Sequence, residues 1–193
     1  KRELDMALLV DIAKVARMPL CYGGGLYDAD QAVDLVKAGF EKISVSSAAI
    51  NNPNILDEMA RRVGAQSVVL CLDVSKDQDS KDGYSIYTHR ASRKTNLDLG
   101  SALNLARDAS IGEIVINSID RDGTMLGYDL DLAKQVMANT NSPVTFLGGA
   151  GDSNDIVDLV AATGTVGAAA GSMFIFKGIN KAVLISYAKP KGF

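Results

Sequence analysis

The chain contains a repeat of itself. Residues 24–36 read Gly-Gly-Leu-Tyr-Asp-Ala-Asp-Gln-Ala-Val-Asp-Leu-Val, and residues 148–160 read Gly-Gly-Ala-Gly-Asp-Ser-Asn-Asp-Ile-Val-Asp-Leu-Val. Each copy follows a short apolar run introduced by a proline, Pro19 or Pro143. Each leads into another run that ends in small residues, Ser46-Ser47-Ala48 or Gly171-Ser172-Met173. A unit repeated at this separation points to a closed barrel of two similar halves, with an open doubly wound sheet as the competing architecture.

Short apolar runs that read as buried strands lie at 20–22, 43–45, 67–72, 114–117, 144–147 and 166–170. Helix signals separate them. Asp28 precedes Gln31 at capping-box spacing, Asn52-Pro53 places a cap before a proline, and Asp129 and Asp152 or Ser153 open later helices. Alternating strands and helices with apolar strands mean an α/β fold whose parallel sheet is covered by helices. The exception is 74–89, where Asp82-Gly83 signals a hairpin inserted after a core strand. Six βα units are visible, and the 193 residues suit one domain. Leu4, Leu8, Ile12 and Val15 mark an apolar helical face almost at the first residue, Lys1. The expectation is a single βα-barrel domain over 1–193, incomplete at its N-terminus by roughly 50–60 residues, the length of two short βα units.

Composition excludes several classes. A net charge of -3 provides no basic field for nucleic acid or anionic lipid, and no apolar run reaches a membrane span. No signal peptide is visible. One His and two scattered cysteines make a His/Cys metal site improbable, so no metal or cofactor is expected. Cys21 and Cys71, each inside an apolar run, read as reduced core thiols of a cytoplasmic protein.

The candidate chemistry lies where strands turn into helices. Gly24-Gly25 and Gly148-Gly149 let backbone N–H groups approach an anion, with a helix start behind them. Ser46-Ser47 and Gly171-Ser172 stand at the neighbouring strand ends, so each half presents a phosphate cradle, and two cradles imply a ligand with a phosphate at each end. Asp73 closes the apolar strand 68–72, the position of a general acid or base at the barrel mouth, or of a loop carboxylate. In Ser118-Ile119-Asp120-Arg121-Asp122-Gly123-Thr124, Gly123 and Thr124 offer donors to a phosphate. Asp120 and Asp122 either work beside Asp73 or shape the loop. Lys42 and Glu113 open strands at the opposite end, where position alone assigns them no role. His89 reads as a surface imidazole.

Tyr22-Gly23-Gly24-Gly25, Lys42-Ile43-Ser44-Val45, the 118–124 segment, Gly127-Tyr128-Asp129 and Gly148-Gly149-Ala150-Gly151 together resemble the cyclase subunit of imidazole glycerol phosphate synthase. The resemblance runs in register over nearly the whole chain. It implies a (βα)8 TIM barrel, here lacking the first two strands. It also implies a lyase of histidine biosynthesis that takes ammonia from a separate glutamine amidotransferase (glutaminase) subunit. With that ammonia the family cleaves and cyclises a bis-phosphorylated aminoimidazole carboxamide ribonucleotide into imidazole glycerol phosphate and aminoimidazole carboxamide ribotide. By motif match Asp73 falls on one of two catalytic aspartates. Gly25, Ser46 and Ser47 fall on one phosphate site, and Gly123, Gly149, Gly171 and Ser172 on the other. Lys42 and Glu113 fall on a charged ring that gates ammonia through the barrel floor.

The chain also departs from the family. The first catalytic aspartate has no counterpart, Ser46, Asn117 and Leu147 stand where Asn, Thr and Ser are typical, and Arg90-Ala91 replaces a Gly-Gly. These departures resemble a paralogous branch associated with surface-polysaccharide clusters, in which ammonia serves the amidation of a nucleotide sugar. An inactive scaffold or ammonia conduit for the amidotransferase is the third reading.

Overall fold

Six parallel strands form the sheet in the order β1-β2-β3-β6-β7-β8, in a computed structural model that describes residues 4–177 and 181–184. They are β1 (Cys21–Gly23), β2 (Lys42–Val45), β3 (Val68–Lys76), β6 (Glu113–Ser118), β7 (Val144–Leu147) and β8 (Gly167–Ala169), with β4 (Tyr84–Thr88) and β5 (Arg93–Lys94) as the inserted hairpin. The helices are α1 (Met6–Val15), α2 (Ala29–Ala38), α3 (Ser47–Asn51), α4 (Asn54–Val63), α5 (Leu99–Asp108), α6 (Leu130–Asn139), α7 (Ser153–Thr163) and α8 (Ser172–Ile175). A small pair, β9 (Phe176–Lys177) with β10 (Ala182–Val183), follows. This is a partial (βα)8 barrel: β1 and β8 end the sheet on either side.

The caps read from the sequence form as hydrogen bonds. Asp28 accepts from Gln31 N at 2.9 Å and Asp129 from Leu132 N at 3.1 Å. Asp152 and Asp155 make a reciprocal capping box at the start of α7. Pro53 itself, rather than Asn52, takes the cap position of α4.

The strands are less apolar on their second face than their sequence runs suggest. Ile43, Val45, Ile114, Ile116, Leu70, Leu72 and Val74 are buried against the helices, whereas the alternate residues of β2 and β6 are half-buried. Period-two alternation therefore sets one greasy face against the helices and one polar face toward the barrel interior. Glu113, Val115 and Asn117 form one interior column along β6, and Cys71 and Asp73 lie on the neighbouring strand. Cys71 is part of this interior and its burial pushes the thiol up to about 12. Cys21 is exposed on β1, which corrects its reading as a core residue: among the described residues β1 pairs only with β2.

Helix α1 buries a different face from the one its spacing marks. Leu9 is buried and Ala13 packs against Gly39 at the end of α2, while Leu8, Ile12 and Val15 are 56%, 41% and 77% exposed. Among the described elements its main packing neighbour is α2, which covers this stripe.

Candidate active site

The sheet order puts the candidate chemistry in a row across the C-terminal ends of the strands. The first glycine turn and Ser46-Ser47 follow β1 and β2, which are paired through Gly23 and Ser44. Gly148-Gly149 and Gly171-Ser172 follow β7 and β8, paired through Leu147 and Ala169. Between them stand β3 and β6, whose register sets Asp73 beside Asn117. A two-ended site with a carboxylate in the middle is the result.

At that centre Asn117 Nδ2 donates to Asp73 Oδ1 at 2.9 Å. Asp73 also lies opposite Tyr87 of β4, because β3 continues past the sheet into the hairpin. A strand that is still paired on both sides at its last turns holds its carboxylate more firmly than a loop would.

The second cradle is a pocket lined by Asp122, Gly123, Leu147, Gly149, Gly171 and Ser172 among others. Close packing requires two of its glycines, Gly148 and Gly149, whereas a Cβ at Gly123 or Gly171 would meet nothing within 4 Å. Gly149 has φ +106°, and a Cβ there would lie 2.1 Å from the carbonyl oxygen of Gly127. Gly127 N in turn donates to Gly149 O at 2.9 Å, so the loop after β6 is clipped onto the turn after β7. Tyr128 Oη donates to Ala169 O at 2.9 Å and ties the same loop to β8. The first cradle is different. Gly24 and Gly25 have φ +124° and +71°, yet a Cβ at either would meet nothing within 4 Å. Only their backbone conformation demands glycine, and their surroundings are open.

The amides at the helix starts are taken by the chain itself. Gly151 N and Asp152 N both donate to Asp155 Oδ2, at 2.7 and 3.1 Å, and Tyr27 N donates to Gln31 Oε1 at 2.9 Å. The glycine turns, rather than the first turns of α7 and α2, are left to face a ligand.

Three sequence candidates, Asp120, Thr124 and Ser47, hold hydrogen bonds within the protein, and Asp122 stays at the site. Asp120 accepts from Ser75 Oγ and Lys76 N, both at 2.7 Å, and so fastens the β6 loop to the end of β3, the loop-shaping alternative. Asp122 stands in the wall of the second cradle. Thr124 Oγ1 donates to Arg121 O at 2.7 Å and accepts from Leu126 N, which spends the hydroxyl on its own turn. Ser47 Oγ accepts from His89 N at 3.0 Å.

That last bond docks the hairpin on the first cradle, and it holds a strained turn. His89, Arg90 and Ala91 have φ of +54°, +59° and +61°. Each left-handed non-glycine residue costs about 1–2 kcal/mol, and glycine recovers it less its own chain entropy. Ala91→Gly is therefore expected to stabilise the protein by about 0.5–1 kcal/mol. Urea unfolding should show a higher midpoint at unchanged slope.

At the other end of the barrel Lys42 Nζ donates to Glu113 Oε2 at 2.5 Å, and Thr145 Oγ1 donates to Glu113 Oε1 at 2.6 Å. Lys42 reaches across β3 to do so, since β2 and β6 are not neighbours. The Glu113 hydrogen bond raises Lys42, against a smaller opposing effect of burial. Burial alone would raise Glu113, but the bonds from Lys42 and Thr145 outweigh it and leave the carboxyl below its usual range. Sequence spacing missed Thr145, a polar residue in an apolar run. It also missed Tyr128, whose role exists only through the fold.

Comparison with known proteins gives a consistent result. The family model described as "Histidine biosynthesis protein" matches residues 1–180. A protein of Vibrio vulnificus, provisionally assigned as imidazole glycerol phosphate synthase subunit hisF3, is 46% identical over 188 residues, covering 97% of this chain and 72% of its own. A protein of Leptospira borgpetersenii with a provisional HisF assignment is 44% identical, covering 96% and 73%. The imidazole glycerol phosphate synthase subunit HisF of Petrotoga mobilis is 37% identical, covering 90% and 68%.

Proposed function

The chain belongs to the histidine biosynthesis protein family, and we propose that it is the cyclase subunit of an imidazole glycerol phosphate synthase acting in the cytoplasm. In this reading a bis-phosphorylated aminoimidazole carboxamide ribonucleotide lies across the row of strand ends. Gly24, Gly25, Ser46 and Ser47 hold one phosphate, and Gly123, Gly148, Gly149, Gly171 and Ser172 hold the other. Asp73 supplies proton transfer at the reacting centre between them, with Asp122 as the nearer of the two further aspartates to a phosphate. Ammonia from a glutaminase subunit enters past Lys42 and Glu113. The observation that carries the reading is the placement of the Asp73–Asn117 pair on the strands between two glycine turns.

Titration of the full protein with inorganic phosphate, followed by amide NMR, tests it. Two sets of signals should move, one at Gly24, Gly25 and Ser47, the other at Gly149 and Ser172. Movement of neither removes the substrate. Movement of the second set alone points to a ligand with one phosphate.

A second reading has an observation of its own. The two relatives at 44% and 46% identity carry provisional assignments, and Leu147 places an apolar side chain in the second cradle. A paralogue that supplies ammonia for nucleotide-sugar amidation fits a cradle altered in this way. Phosphate binding at the first cradle alone would favour it.

A further inference from the structure

One buried polar atom in the barrel interior has no hydrogen-bond partner among the described residues: Asn117 Oδ1. The orientation of its amide follows from Asp73. A carboxylate accepts and does not donate, so the NH2 group faces Asp73 Oδ1 at 2.9 Å and the carbonyl oxygen faces away. On that other side the register sets Leu147 of β7 beside Asn117, and a leucine side chain offers no donor. Buried acceptors are normally satisfied, and one left open in a candidate site calls for a donor from elsewhere. The donor has to arrive in the barrel interior, above the Lys42–Glu113 pair that lies at the start of the same interior column.

The geometry points to Asn117 as a two-sided site residue that holds Asp73 through Nδ2 and accepts an N–H of the ligand through Oδ1. This rests on the proposed function and narrows it. The ligand must present a nitrogen-bound hydrogen within reach of Asp73, either on a carboxamide or amine of the substrate or on ammonia itself. Leu147 belongs to the same device. A hydroxyl at 147 would satisfy Oδ1 from within the protein and take it away from the ligand.

The test compares two probes on the full protein and two variants. Aminoimidazole carboxamide ribotide carries N–H donors and a phosphate, and ribose 5-phosphate carries the phosphate without those donors. Asn117→Thr keeps one donor for Asp73 and loses the carbonyl acceptor, and Leu147→Ser supplies the acceptor with an internal donor. In both variants the affinity for the ribotide, taken relative to ribose 5-phosphate, should fall about tenfold, the worth of one buried hydrogen bond. A general loss of structure would weaken both probes together and leave the ratio unmoved. If the N–H comes from ammonia, the ratio stays and the KM for ammonium chloride rises about tenfold in Asn117→Thr, beyond any change in kcat. An unchanged ratio together with an unchanged ammonium KM overturns the role of Asn117 and leaves the proposed function standing. Failure of the parent protein to bind either probe defeats the proposed function, and this inference with it.

Discussion

Asp73→Asn in the full protein should lower kcat/KM with ammonium salts by about 10²–10⁴, the contribution of a positioned general acid or base. The substitution is nearly isosteric, and the side chain keeps an oxygen that can accept from Asn117 Nδ2. The strand around it is paired to β6 on one side and β4 on the other, so little else moves. Thermal stability should stay close to that of the parent, and phosphate binding at both cradles should persist. An intact fold with intact anion sites and a lost rate isolates proton transfer at residue 73. Turnover at the parental rate would remove Asp73 from the chemistry. A parent with no turnover at all would favour the ammonia-conduit reading, in which there is no rate to lose.

How far the sequence foretold this site follows from which interactions leave a local trace. β7 is read from the sequence with the limits the structure has, because Pro143 and Gly148 bound an apolar run. β3 runs nine residues rather than six. Its last four, Asp73–Lys76, are mostly polar and stay extended because they pair with Tyr84–Tyr87 of the hairpin. No apolar run marks them. The two cradles are legible through their repeat, but the reason for each glycine is not. Gly149 is demanded by the carbonyl of Gly127, a contact between loops, while Gly24 and Gly25 are demanded by φ alone. Loop carboxylates divide the same way. Asp120 and Asp122 look alike in sequence, and only the end of β3 beneath Asp120 separates them. The unsatisfied oxygen of Asn117 depends on three strands in register, which no local pattern encodes.

The floor of the barrel carries the other large expectation. Lys42→Ala should uncouple glutamine hydrolysis by the glutaminase subunit from product formation, while activity with free ammonium salts survives. The physical basis is the shape of the cluster. Thr145 fixes one oxygen of Glu113, and Lys42 spans β3 to bind the other, so a single cation bridges the interior at the strand starts. Removing it opens that end without touching Asp73 or the cradles. The substitution also leaves Glu113, only 16% exposed, without its cation, although Lys42 is itself 36% exposed and solvent-screened. The expected loss of stability is therefore modest, about 1–2 kcal/mol. Its pH dependence has a definite sign. Glu113 is held below its reference value of 4.5, so its contribution is present above that pH and fades as pH falls through the lowered value. Lys42 is held above 10.5, so its contribution is present below that pH and fades as pH rises through the raised value. The stability gap between parent and variant should be level near neutrality and narrow toward both extremes. A structural pair predicts that gap with coupling intact; a gate predicts the gap and the uncoupling together. Reconstitution with the glutaminase, measuring glutamine hydrolysis and product side by side, distinguishes them, and absence of any complex would remove the gate altogether.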